Sequence, residues 1–96
     1  MAAESNLENY AREKVEWYGG FFIKVKWIGW VGCPDRFLWL PWMKLPIFVE
    51  MKAPGGVVSS PQRRWHKRLR KMGMHVAIWW TKEQVDNFVR KPRDVY

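Results

Sequence analysis

Cysteine is almost missing from this chain. Cys33 is the only one in 96 residues, which excludes an intramolecular disulfide and any zinc site built from several thiolates. Histidine is scarce as well: His66 and His75 are the only two, and neither stands in a cysteine-hydrolase context. Cys33, between Gly32 and Pro34, reads as a packed or bystander loop thiol. No uncharged apolar run reaches the roughly 18 residues that a membrane span needs. The opening MAAESNLENYAREK also lacks the apolar stretch of a signal peptide. The chain therefore reads as soluble and intracellular, with no membrane partner. No internal repeat, low-complexity tract or linker divides it, and its length suits one compact domain over residues 1–96.

Acidic residues are few, 9 against 17 basic ones, for a formal net charge of +8. The imbalance is local. Residues 1–56 carry seven basic and six acidic side chains, whereas residues 57–96 carry ten and three. A surface of this kind favours polyanions, nucleic acid before anionic membrane. At 48% hydrophobic and 17% aromatic, the chain is too apolar for a disordered basic tail. Eight tryptophans require either a dense core or an interface. Trp27, Trp30, Trp39, Trp42, Trp79 and Trp80 exceed what one core of this size is expected to hold, so some of them are expected at an interface.

The pattern of elements is α-β-β-β-α-β-α. Ser5 and Glu8 form a Ser-x-x-Glu capping box, followed by Leu7, Ala11, Val15 and Tyr18 at helical spacing, so a first helix is predicted over 5–18 and ends at Gly19-Gly20. FFIKVKWI, residues 21–28, alternates lysine with apolar residues and reads as a strand. A second strand is predicted over 35–40 and a third over 47–52, close enough in sequence for an antiparallel hairpin with a long loop. Ser59 or Ser60 caps a basic helix with Pro61 in its first turn and Trp65, Leu69 and Met72 as its inner stripe. MHVAIWW, residues 74–80, is the most apolar strand candidate and is expected at the centre of the sheet. Thr81 to Gln84 is a second capping box, opening a last helix with Val85, Phe88 and Val89 inside. The third strand, basic helix and fourth strand form a β-α-β unit, which favours parallel pairing.

The candidate chemistry lies in Asp35 and in Glu50-Met51-Lys52. Strand side chains alternate, so Glu50 and Lys52 share a face while Met51 points the other way. An antiparallel hairpin brings Asp35 beside them. Two close carboxylates repel unless a cation or a proton intervenes, and Mg²⁺ or Mn²⁺ suits oxygen ligands, with the Met51 backbone carbonyl as a further donor. A capped loop plus a surface ion pair is the plainer reading of a bare Asp…Glu-x-Lys pattern. The basic helix carries Arg63, Arg64, Lys67, Arg68, Arg70 and Lys71 without one acid, a repulsion that phosphate contacts would relieve. Gln62 and His66 are four apart and share a face of it; His66 reads as a DNA-contact or packing residue.

Gly32-Cys33-Pro34-Asp35-Arg36, Phe48-Val49-Glu50-Met51-Lys52-Ala53-Pro54-Gly55-Gly56, and Ser59 with Gln62-Arg63-Arg64-Trp65-His66 together resemble the VRR-NUC family of virus-type replication-repair nucleases, within the PD-(D/E)xK superfamily. The resemblance extends from about Glu8 to Val89. It implies a restriction-endonuclease-like α-β-β-β-α-β core with a mixed central sheet and an additional C-terminal helix. It also implies a metal-dependent endodeoxyribonuclease, in which Asp35 and Glu50 bind Mg²⁺ or Mn²⁺, Lys52 is catalytic and Gln62 supports the site. Glu8 matches an acid that the family carries in its first helix, with Glu4 as the alternative. Lys24 matches a first-strand lysine placed to meet phosphate, and Arg63, Arg64, Lys67 and Arg68 form the DNA-binding face. Branched DNA, Holliday junctions above all, and a homodimer that cuts two strands symmetrically are what the resemblance further implies. A non-catalytic nucleic-acid-binding module is the alternative, and a packaging or recombination accessory role would change the partner rather than the chemistry. The sequence departs from the family at Cys33, where a small or aliphatic residue is common, and in Ser59-Ser60-Pro61, where proline stands one residue late.

Overall fold

The computed structural model describes residues 2–90, with side chains from residue 6 onward. Helix α1 (Ala2–Trp17) is followed by strands β1 (Phe21–Lys24), β2 (Arg36–Trp39) and β3 (Ile47–Met51), helix α2 (Ser60–Lys71), strand β4 (Val76–Trp79) and helix α3 (Lys82–Val89). The four strands form one mixed sheet in the order β1-β2-β3-β4. The first two pairings are antiparallel and the third, reached through α2, is parallel.

The sheet has two unlike faces. On one, α1 and α3 pack together and bury Leu7, Ala11 and Val15 with Val85, Phe88 and Val89. These meet Phe22, Leu38, Ile47, Val49, Met51 and Trp79 from all four strands. Among the described residues the other face carries α2 alone, seated toward β4. The β1–β2 half of that face stays open: Phe21, Ile23 and Trp39 are each 36–46% exposed.

Several expectations need correction. Helix α1 starts at Ala2, so Ser5 lies a turn inside it and cannot be an N-cap; the side chains of Ser5 and Glu4 are outside the described residues. Tyr18 falls beyond the helix end and is 40% exposed. Strand β4 is an edge strand, not a central one. Its apolar run reflects helices on both faces, and burial of two faces leaves the same mark on a sequence whether or not a neighbour pairs on each side. Met72 is the C-cap of α2 and is exposed, so the helix buries His66 and Leu69 instead. The cap of α2 is Ser59, with a capping box completed by Gln62. The late proline thus leaves the helix start where Ser59 sets it.

Candidate active site

Glu50 is where a carboxylate costs most. It stands on β3 among buried neighbours and is only 7% exposed. A buried carboxylate needs donors or cations around it, and α2 supplies a donor. Gln62 Nε2 donates to Glu50 Oε2 at 3.1 Å, while His66 Nε2 stands 3.5 Å from Oε1. Gln62 Oε1 is turned the other way, accepting from the Ser59 backbone N–H at 2.9 Å. That bond fixes the amide orientation, so the NH₂ must face Glu50. The residue that closes the capping box is therefore also the one that holds the carboxylate.

His66 is buried, and burial lowers its pKa, assisted by the positive charges of Arg70 and Lys52. Burial therefore disfavours the charged form of the imidazole that stands beside Glu50. Lys52 follows on the strand, and its backbone N–H donates to the Trp79 carbonyl at 2.9 Å, carrying the β3–β4 pairing one residue further.

The β2–β3 register pairs Arg36 with Val49, and its continuation sets Asp35 opposite Glu50. Asp35 sits in the loop before β2, and the Val25 N–H donates to its carbonyl at 3.0 Å. Gly32, three residues earlier, has φ +98°, and a Cβ there would lie 2.7 Å from the Pro61 carbonyl carbon. Only glycine lets this loop approach the start of α2 so closely. Asp35 and Gln62 are thereby brought to the same end of the sheet.

Arg36 is the functional candidate that the sequence did not reveal. It is 4% exposed and joins two of the expected acids: Nη2 lies 2.7 Å from Glu8 Oε1 and Nη1 lies 2.9 Å from Asp35 Oδ1. Burial would lower its pKa, but the two carboxylates outweigh burial and raise it. Arg36 is charged at every accessible pH and ties α1 to the mouth of β2. Sequence position gives no hint of this, because Glu8 is 28 residues away and Arg36 reads simply as a strand residue.

Glu8, Asp35 and Glu50 are thus all at this end of the molecule, but the first two are gathered on Arg36 and the third on α2. Among the described residues, no three His, Cys, Asp or Glu side chains are clustered as a metal site. The donor chemistry nevertheless suits a hard divalent ion, since carboxylate oxygens and the Met51 carbonyl are the ligands such ions take. The guanidinium also shows that this acid pair draws a cation. Cys33 is half-buried, and burial raises its thiol pKa, with Arg68 opposing. That suits the bystander role expected of it.

The phosphate-contact candidates divide. Arg64, Lys67 and Arg68 are exposed on α2. Arg63 is partly committed, donating to the Val58 carbonyl at 2.8 Å and to Ser60 Oγ at 3.3 Å. Beside them a cavity of about 400 Å³ is lined by Val58, Arg63, His66, Lys67, Arg70 and Ile78. Lys24 is exposed but pairs in register with Arg36, which puts it on the α1 face, across the sheet from α2.

Comparison with known proteins gives a consistent picture. Residues 28–82 match the VRR-NUC domain family. The "Putative nuclease p44" of Acyrthosiphon pisum secondary endosymbiont phage 1 is 39% identical over 78 residues, covering 81% of this chain and 83% of that protein. A solved structure described as a VRR_NUC domain superposes with a TM-score of 0.81 at 33% identity, covering 91% of this chain and 94% of the other.

Proposed function

This chain belongs to the VRR-NUC domain family, and from that premise we propose that it is a metal-dependent endonuclease, one domain over residues 1–96, that hydrolyses phosphodiester bonds of branched DNA. The observation that carries the reading is Glu50, a carboxylate buried beside the Asp35 loop and held by a glutamine whose orientation the helix cap dictates. A protein that only bound DNA would have no use for so costly an arrangement.

Asp35 and Glu50, with the Met51 carbonyl and Glu8, would hold Mg²⁺ or Mn²⁺. When bound, the ion supplies Lewis-acid polarisation of the phosphodiester and lowers the pKa of water. Gln62 holds Glu50 in place. Lys52, next along the same strand face, stabilises charge developing on the phosphate or on the attacking oxygen. Arg64, Lys67 and Arg68, with Arg63 and the basic cavity beside His66, hold the DNA backbone. Lys24 on the other face takes a phosphate further along.

A homodimer suits symmetric cutting of a Holliday junction, and the open β1–β2 face, with Phe21, Ile23 and Trp39 exposed, supplies the apolar surface for it. The phage relative fits a role in viral DNA repair or recombination. No helix among the described residues is long and apolar enough to cross a membrane.

The deciding experiment is a cleavage panel of four-way junction, flap, nicked and single-stranded DNA with Mg²⁺, Mn²⁺ or EDTA. The wild type cuts the branched substrates only with metal. Glu50→Gln and Asp35→Asn bind but do not cut. Undiminished cutting by either variant removes the site assignment, and metal-independent binding without any cutting by the wild type leaves a nucleic-acid-binding module.

A further inference from the structure

The loop between β1 and β2 is built unlike any other exposed segment described. It presents Ile28, Trp30 and Val31 to solvent at 88%, 57% and 80% exposure, directly before the Asp35 turn. The loop that carries them is tied down at Trp27 and Trp30. Trp27 folds back beneath them, with Nε1 donating to the Pro34 carbonyl at 2.7 Å and its ring 5.5 Å from Phe48. Gly29 and Gly32 hold left-handed φ values of +85° and +98°, which fix the turn. Trp30 stands edge-on to Trp65 of α2, 5.1 Å between centroids at 82°. The Arg68 guanidinium lies 4.5 Å from the Trp65 ring centre.

The outcome is an exposed tryptophan set edge to face against Trp65, whose ring also carries the Arg68 guanidinium, on the loop that leads to Asp35. Loops seldom expose that much apolar surface without a use. The neighbouring charge is basic, so the occupant should combine a flat apolar face with negative charge. An unpaired nucleotide does so, because every base has a π-face and its backbone carries phosphate. Apolar side chains that enter DNA also do so at opened base steps.

We propose that Trp30, flanked by Ile28 and Val31 and set against the Trp65 ring that Arg68 covers, is a stacking platform for an unpaired base adjacent to the cleaved phosphodiester. The inference rests on the nuclease reading and names what makes a substrate acceptable to it: a displaced base at a branch point. Rigid support means that little ordering cost is incurred on binding.

The test compares the full-length wild type, Trp30→Ala and Trp30→Phe in EDTA, so that nothing is cut. Affinities are measured for a blunt duplex and for the same duplex with an unpaired, 2-aminopurine-containing branch. Trp30→Ala loses about tenfold or more on the branched DNA, the effect expected of one stacked base, and abolishes the change in 2-aminopurine fluorescence. Its duplex affinity stays unchanged. Trp30→Phe restores most of both. Equal losses on the two DNAs, or no loss on either, overturn the platform. So does sedimentation in which Trp30→Ala turns a dimer into a monomer, because the patch then belongs to a second copy. Failure of the wild type to cut with metal would defeat the nuclease reading while leaving this binding comparison intact.

Discussion

Replacing Arg36 with methionine removes the one cation shared by Glu8 and Asp35 while filling most of its buried volume. Hydrogen bonds to charged groups are worth about 1.5–3 kcal/mol each, and Arg36 makes one with each acid. Two terms reduce that sum. The carboxylates are 29% and 46% exposed, so water recovers part of their solvation. Burying the guanidinium, whose Nε has no hydrogen-bond partner, also carries a desolvation cost that methionine lifts. A net loss of about 2–3 kcal/mol remains, and for a domain of this length about 4–8 °C accompanies each kcal/mol. Thermal melts of Arg36→Met should therefore fall roughly 10–20 °C below wild type. Arg36→Lys rescues little, because a single ammonium cannot span both acids as a planar fork does. Adding Glu8→Gln to Arg36→Met should cost far less than Glu8→Gln does alone, giving a coupling energy of about 1–3 kcal/mol. Mg²⁺ should raise the melting temperature of Arg36→Met more than that of wild type, since the bare acid pair is then the better cation site. A melt within about 3 °C of wild type, or strict additivity with Glu8→Gln, refutes the bridging role.

Three further outcomes are expected. Gln62→Glu keeps a capping box at α2 but sets a second carboxyl against buried Glu50 in place of a donor, so stability should fall by about 1–3 kcal/mol and cleavage by about 10–100-fold; unchanged stability would mean that the two side chains do not meet. The Tyr10 hydroxyl donates to Asp86 Oδ1 at 2.7 Å, and this bond, with burial and the charge of Asp86, raises the phenol pKa. The bond's contribution is fully present below about pH 10, the ordinary phenol value, and is lost as pH rises through the higher folded value. Tyr10→Phe should thus be less stable than wild type at neutral pH, with the gap closing on the alkaline side; a gap independent of pH contradicts this. Arg64→Ala with Lys67→Ala should flatten the salt dependence of DNA binding by about 0.9 for each phosphate that is no longer neutralised, and an unchanged slope would leave that helix face merely solvated.

Local chemistry is legible in the sequence and long-range pairing is not. Glycine stops, serine and threonine caps and alternating strand residues place all seven elements, because each of those signals acts within a few residues. The β2–β3 hairpin and the parallel β3–β4 pair follow from connection length. The place of β4 does not, since two helix-covered faces make an edge strand look central. Ser-x-x-Glu at Ser5 misleads for a related reason: Glu8 is used by Arg36 in another element, and a four-residue motif cannot report that. Ser59 and Gln62 also make a capping box, and reading Gln62 only as a support for the site conceals its second task. Asp35, Glu50 and Lys52 stand out through their motif, whereas Arg36 has no motif of its own and its role exists only once α1 folds onto β2.

The residues of the proposed site and the tertiary ties of this fold are largely the same atoms. Arg36 with Glu8 fastens α1 to β2, Gln62 with Glu50 fastens α2 to β3, and Gly32 lets the Asp35 loop close on the start of α2. A chain of this size has few polar contacts to spare for stability alone, and burying them is tolerable only when each is satisfied. Using the acids of the proposed site as partners gives Arg36 and Gln62 carboxylates to donate to without any ion or DNA. The consequence is that a divalent ion would enter by redistributing bonds already made, with Arg36 the group whose hold on Glu8 and Asp35 it must share. In the proposed site, metal affinity and fold stability would then be linked through one guanidinium, and a variant that loosens that hold would trade stability for a more available acid pair.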